Sequence, residues 1–387
     1  MDPSRYGIDP DRGFLPNPDP MRTEDLPDTY APWKQLARDL PKLLATGQIR
    51  GKLYRMPALS VPAVADQRVL RALYRMVAFL AHADVYPAGS IRQAKPSIAQ
   101  SVAIPLCEIS TRLGVPPAIT YDPYALSNWY RIRPDGPIEL GNIALIQNFL
   151  GGQDEEWFIL PHIEIEAKYG RALRQFPVAQ FGVLVGDEPT VAEALWQIAD
   201  VTQSLYETLK RTLDGCDPYI YYHRVRPFIH GWKNNPGLPD GVIYEGVDEF
   251  GGKPQQFYGE TGAQSSVVPT LYALLGIEFA KDWFWDYLLE MRRYMPPAHR
   301  AFIEAVEQGP PLRQFVQMAS DPHLRDAYNA TIEALARFLQ QHYEFADIYI
   351  YRQQQKSAAN PTRVGTGGTP FLQYLQEHIK AVRAHRI

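Results

Sequence analysis

The chain has 387 residues, enough for one large or two ordinary domains, and its 45% hydrophobic and 21% charged composition is that of a globular protein. Its 39 basic and 43 acidic side chains leave a net charge of −4 with no block of like sign, so nothing in the charge points to nucleic acid or a membrane surface as partner. Cys107 and Cys216 are too few and too far apart for a disulfide framework or a thiolate zinc site, which makes a reduced, cytoplasmic setting the expectation.

Residues 1–30 are rich in Pro and Asp and read as an extended arm lying over other structure, without the apolar centre of a secretory leader. Helical periodicity continues over Tyr30–Thr46 and Ala65–His82, with Ser60 and Pro62 breaking the chain between them. Stretches such as Val69–Ala83 carry arginines and fall short of the roughly 18 uncharged residues a membrane span needs. Pro96–Leu113 reads as another helix, stopped by Gly114-Val115-Pro116-Pro117. Tyr121–Ile138 reads as irregular, with the aromatics Tyr121, Tyr124, Trp129 and Tyr130.

A second block opens near Leu140. Trp157–Arg174 and Thr190–Leu213 are helical, the latter with an apolar face of Val191, Leu195, Ile198, Leu205 and Leu209. Residues 231–264 form a long loop pinned by Trp232, Tyr244, Phe250 and Phe257. Further helices are expected over Gln264–Ile277, Trp283–Tyr294, Pro297–Glu307, Leu312–Met318, Leu324–Ile350 and Pro370–His385, the last preceded by the glycine-rich turn Gly365–Thr369. No alternating strand series appears, so the fold class is all-α: a small N-terminal helical domain over 1–145 with its arm, and a large helical domain over 146–387.

No HExxH, nucleophile elbow, dinucleotide fingerprint or EF-hand loop is present. His82, His323, His378 and His385 fall at helix ends or on polar faces, and His299 reads as a structural partner in a basic run. That leaves His162, His223, His230 and His342. His342 shares a helical face with Ile332, Leu335, Leu339, Ala346 and Tyr349, so it points where a core should be. Such a histidine is either bonded to a backbone carbonyl or free to bind a metal. His162 comes directly after Pro161, whose missing N–H releases a carbonyl one turn back. Tyr222 and Arg226 stand four apart on one face. They suit either a surface contact or a pocket wall that stacks an aromatic ring and grips a carboxylate.

The motifs GWKNNP (Gly231–Pro236), GVIYEG (Gly241–Gly246), AQSSV (Ala263–Val267), MRRYMPPAHR (Met291–Arg300), LRDAYN (Leu324–Asn329) and GTGGT (Gly365–Thr369), with His342 between the last two, resemble the indoleamine 2,3-dioxygenase family. GFLPNPDP (Gly13–Pro20) and VPPAITYDPYALSNW (Val115–Trp129) extend the likeness to nearly the whole chain. The resemblance implies haem b in the large domain, with His342 as the iron's axial ligand and O2 as co-substrate. It also implies a pocket for L-tryptophan or a related indole formed by Tyr121, Tyr124, Phe158, Tyr221 and Tyr222. Arg226 would sit on the carboxylate, Gly262 and Ala263 beside the haem, and Thr366 in the closing loop. His162 stands where the animal enzymes have a serine, and so is similar to the distal histidine of the tryptophan 2,3-dioxygenases. The implied reaction is haem-dependent cleavage of the indole C2–C3 bond of tryptophan to N-formylkynurenine; the sequence does not give the oligomeric state, for which a monomer is the favoured expectation. The alternatives to that reaction are a rearrangement like that of the pyrrolnitrin pathway and a haem sensor without turnover.

Overall fold

In the computed structural model the described residues are 2–63, 66–354 and 371–387, and they form a helical protein. After the arm come α1 (Ala31–Ala45), α2 (Ile49–Leu53), α3 (Gln67–Val85) and α4 (Gln100–Leu113). The Asp66 carboxylate caps α3 by accepting the Arg68 N–H at 2.9 Å, and nearly every side chain from Leu70 to Val85 is buried, so α3 is the central rod of the first half. Gly114 ends α4 with φ +68°, in the left-handed region.

The second half is built on α5 (Gln153–Leu173), α6 (Gln175–Val185) and α7 (Glu188–Lys210). Then come the short α8 (Pro218–Ile220) and α9 (Arg226–Ile229), and then α10 (Val267–Leu275), α11 (Trp283–Arg292), α12 (Pro297–Glu307), α13 (Leu312–Met318), α14 (Pro322–Ala346), α15 (Arg352–Gln354) and α16 (Phe371–Ala384). Asp187 and Asp321 cap the long helices α7 and α14, each with a proline in the first turn. These two helices lie against each other, and the Thr331 hydroxyl donates to the Leu195 carbonyl at 3.0 Å between them. The apolar core runs without interruption through both halves of the chain.

The all-α expectation holds, with Pro297–Glu307 and Leu312–Met318 in their expected places. Two features depart from it. Four very short strands occur among the described residues, β1 (Ser97–Ile98) parallel to β4 (Ile243–Tyr244), and β2 (Trp129–Arg131) antiparallel to β3 (Ile143–Leu145). They stitch loops together where the chain lacks the length for a patterned strand. Helix α6 is also absent from the periodicity, because its sequence FPVAQFGVLV has no polar face to reveal a repeat.

Among the described residues three wide π-helical turns occur, at Asp122–Leu126, Tyr221–Val225 and Asp347–Tyr351. The arm lies flat on α5 through a pair of glycines. A Cβ on Gly13 would run into the Glu166 carbonyl, and one on Gly170 would stand 2.5 Å from the Pro10 carbonyl oxygen. Gly13 also has φ +65°, so this close approach excludes a side chain twice over.

Candidate active site

The bases of α5 and α14, the loop around residue 262 and the second π turn enclose a cavity of about 240 Å3. Tyr121, Phe158, His162, Tyr221, Gly262, Ala263 and His342 all line it. The sequence separates these residues by up to 221 positions, 121 to 342, and the fold brings them together because α14 and α5 both pack on α7.

His342 projects from the last turns of α14. Burial, with the neighbouring His162 imidazole acting in the same direction, brings its pKa down to about 4, so the ring is neutral. It has no hydrogen bond to protein among the described residues, and a Cβ built on Gly262 would lie 3.7 Å from its Nε2. His162 is held differently. Its Nδ1–H donates to the Phe158 carbonyl at 2.8 Å, which leaves Nε2 unprotonated as an acceptor. Burial lowers its pKa as well.

The aromatic wall is continuous. Phe158 stacks on Tyr221 with ring centres 4.2 Å apart, and the Phe158 and Tyr121 rings lie 5.5 and 6.4 Å from that of His162. Tyr349, on the same stripe as His342, sits edge-on to Tyr221 at 5.5 Å and donates its hydroxyl to the Cys216 carbonyl. From the cavity lining, Ser265 donates to the Glu166 carboxyl behind it at 2.6 Å, and burial pushes that carboxyl up to about 7.

Other expected residues stand one layer back. Tyr124 is buried between Phe79 and Phe158 and does not reach the cavity surface. Tyr222 and Arg226 are fully buried beside Tyr221, with the guanidinium carbon 5.2 Å from the Tyr222 ring centre. The spacing of four therefore does place them together, although through a π turn rather than a regular α-helix. Thr366 and the Gly365–Thr369 turn lie outside the described residues.

The histidine assignments need two corrections. His82 is a core residue: its Nδ1–H donates to Phe228 O at 2.8 Å, and the Ile119 N–H donates to its Nε2 at 2.9 Å. His378 is buried too, stacked on Phe279 at 4.1 Å, and it lines the cavity. Neither partner set is visible to helix-face arithmetic, because the covering residues come from distant segments. The cavity also holds Glu260, Ser265, Tyr272 and Phe345, to which the sequence pattern assigns no role. Glu260 stands in plain view, two residues before Gly262.

The donor set fits a haem iron better than a bare ion. No group of three or more His, Cys, Asp or Glu side chains that could hold a metal occurs among the described residues. An imidazole without a hydrogen bond to protein, in an apolar, aromatic-lined cavity, is the arrangement a porphyrin iron needs, since the macrocycle supplies the remaining ligands.

A family model described as indoleamine 2,3-dioxygenase matches residues 2–384. Indoleamine 2,3-dioxygenase 1 of Rattus norvegicus is 34% identical over 385 residues, spanning 96% of this chain and 92% of the rat protein. Indoleamine 2,3-dioxygenase 2 of Homo sapiens is 32% identical over 382 residues, with the same two coverages. The indoleamine 2,3-dioxygenase of Saccharomyces cerevisiae is 30% identical over 421 aligned positions, spanning 96% and 91%. The chain belongs to the indoleamine 2,3-dioxygenase family of haem-dependent dioxygenases.

Proposed function

We propose that this enzyme cleaves the indole C2–C3 bond of L-tryptophan, inserting both atoms of O2 to give N-formylkynurenine. We further propose that it works as a monomer in the cytoplasm. The observation that carries the reading is a single cavity presenting an uncommitted neutral imidazole, His342, together with an acceptor imidazole, His162, and the aromatic wall of Phe158, Tyr121 and Tyr221.

His342 would hold haem b by its iron, and the bound haem would supply the activation of O2. The remaining residues position the substrate. Phe158 and Tyr221 offer ring faces to the indole, and the unprotonated Nε2 of His162 is the right partner for the indole N–H. Arg226 is buried within electrostatic reach of the Tyr221 hydroxyl, and it is assigned to the substrate carboxylate. These contacts fix the ring over one reacting edge, which is a contribution of proximity and orientation.

The test is aerobic incubation of haem-loaded, reduced protein with L-tryptophan under labelled oxygen. The expected product has the mass of tryptophan plus two oxygen atoms, both labelled. A product without both labels, or haem-loaded protein that leaves tryptophan unchanged, overturns the assignment.

A further inference from the structure

One carboxyl on the cavity wall has no task in this reading. Glu260 lies in the irregular segment between β4 and the short turn Gly262–Gln264. Its backbone N–H donates to the Ile229 carbonyl at 3.2 Å, which fastens it to the end of α9 three residues beyond Arg226. The residue before it is a glycine by necessity, since a Cβ on Gly259 would stand 2.2 Å from that same Ile229 oxygen. The position of Glu260 against the cavity is therefore fixed by backbone.

Every other buried acid among the described residues has at least one partner in the protein. Glu155 accepts the N–H groups of Phe149, Leu150 and Gly151, and Glu164 accepts from Leu140 and pairs with Lys168. Glu166 accepts from Ser265, while Asp84 accepts from Ala99 and pairs with Arg50. Glu260 is only 5% exposed and lines the cavity, and its carboxyl has no hydrogen bond or ion pair with the protein among the described residues. A buried carboxyl left this way costs free energy unless a ligand completes it. Burial alone pushes it up to about 8.

Among the described lining residues Glu260 is the one acid, and the one Lys or Arg, Arg292, is already committed to Glu307 at 2.6 Å. The Tyr221 hydroxyl lies within electrostatic reach of both Glu260 and Arg226. An α-amino acid head group beside Tyr221 would thus lie within electrostatic reach of a carboxyl on the cavity wall and of a guanidinium one layer behind it. We infer that Glu260 is the acceptor for the substrate ammonium group, and so selects indoles that carry an amine. The inference rests on the indole reading above.

The test is optical titration of haem-loaded ferric protein, parent and Glu260→Gln, with three probes: L-tryptophan, tryptamine and indole-3-propionate, which lacks the ammonium. The variant is expected to bind the two amines about tenfold or more weakly, the loss associated with removing one partner of a buried pair, while holding indole-3-propionate within about twofold. Glu260→Asp, which keeps the charge, is expected to retain the preference for amines. Equal affinity of parent and Glu260→Gln for both amines overturns the inference. So does an equal loss for all three probes, which is what a structural role would give. A parent that binds none of the three defeats the indole reading itself, and this inference with it.

Discussion

His342 is neutral and without a hydrogen bond to protein among the described residues, as an axial ligand would have to be. Its pKa of about 4 leaves the ring unprotonated at neutral pH, and no protein group competes for its nitrogens among the described residues. The variant His342→Ala is expected to purify without a Soret band while keeping the far-ultraviolet dichroism of the parent apoprotein. A full haem complement in that variant would move the axial role elsewhere. This residue is legible in the sequence because a helical stripe reports which way a side chain points. Glu260 is not, because an acid in a loop looks solvated until the segments that bury it are known. His82 misleads for the same reason: its carbonyl partner, Phe228, is 146 residues away.

Helices with two unlike faces are legible, and those without are not. Helices α7 and α14 announce themselves by their caps and apolar stripes, whereas α6 leaves Phe181 and Leu184 exposed, at 62% and 72%, and so shows no contrast. The composition of the arm suggests that it lies over other structure, but the means of its attachment emerges only from packing. Gly13→Ala must adopt a left-handed backbone and also push the arm off the Glu166 carbonyl, so it is expected to lower unfolding free energy by ~2 kcal/mol or more. Gly7 has a similar φ, +67°, but nothing within 4 Å of its Cβ position, so Gly7→Ala is expected to cost only about 1 kcal/mol. Equal denaturation midpoints for the two variants would mean that the close contact on α5 contributes nothing.

Across the whole molecule, burial acts on two opposing sets of groups. His82, His230 and His299 are brought to about 3, and His342 and His378 to about 4. Their folded values lie below the unfolded ~6.5, so the stability they contribute is complete above that pH and is lost as pH falls toward 3, at about 1.4 kcal/mol per unit for each group. Asp84 and Glu166 are raised to about 7 and Glu260 to about 8, so their contribution is complete below about pH 4 and is lost as pH rises through 7 to 8. The histidines outnumber the acids, and stability of the apoprotein is expected to peak near pH 6.5 and fall on both sides, most steeply below about 4.5. Urea denaturation across that range measures it, and a steady rise from pH 5 to 8 would contradict this balance. No helix among the described residues is long and apolar enough to cross a membrane.

The three π turns sit where the cavity is shaped: Tyr121 opens the first, Tyr221 begins the second, and Tyr349 lies in the third. Each winds the chain more loosely than a regular helix, with room for one residue beyond the usual turn. Deleting one residue from Tyr221–Val225 would let that turn close to regular α-geometry with the following helix still in phase, and the loss would fall on the bulge itself, where Tyr221 faces the cavity and Tyr222 packs against Arg226. A change of length at one of these turns therefore redraws the cavity wall and leaves the helices on either side as they are.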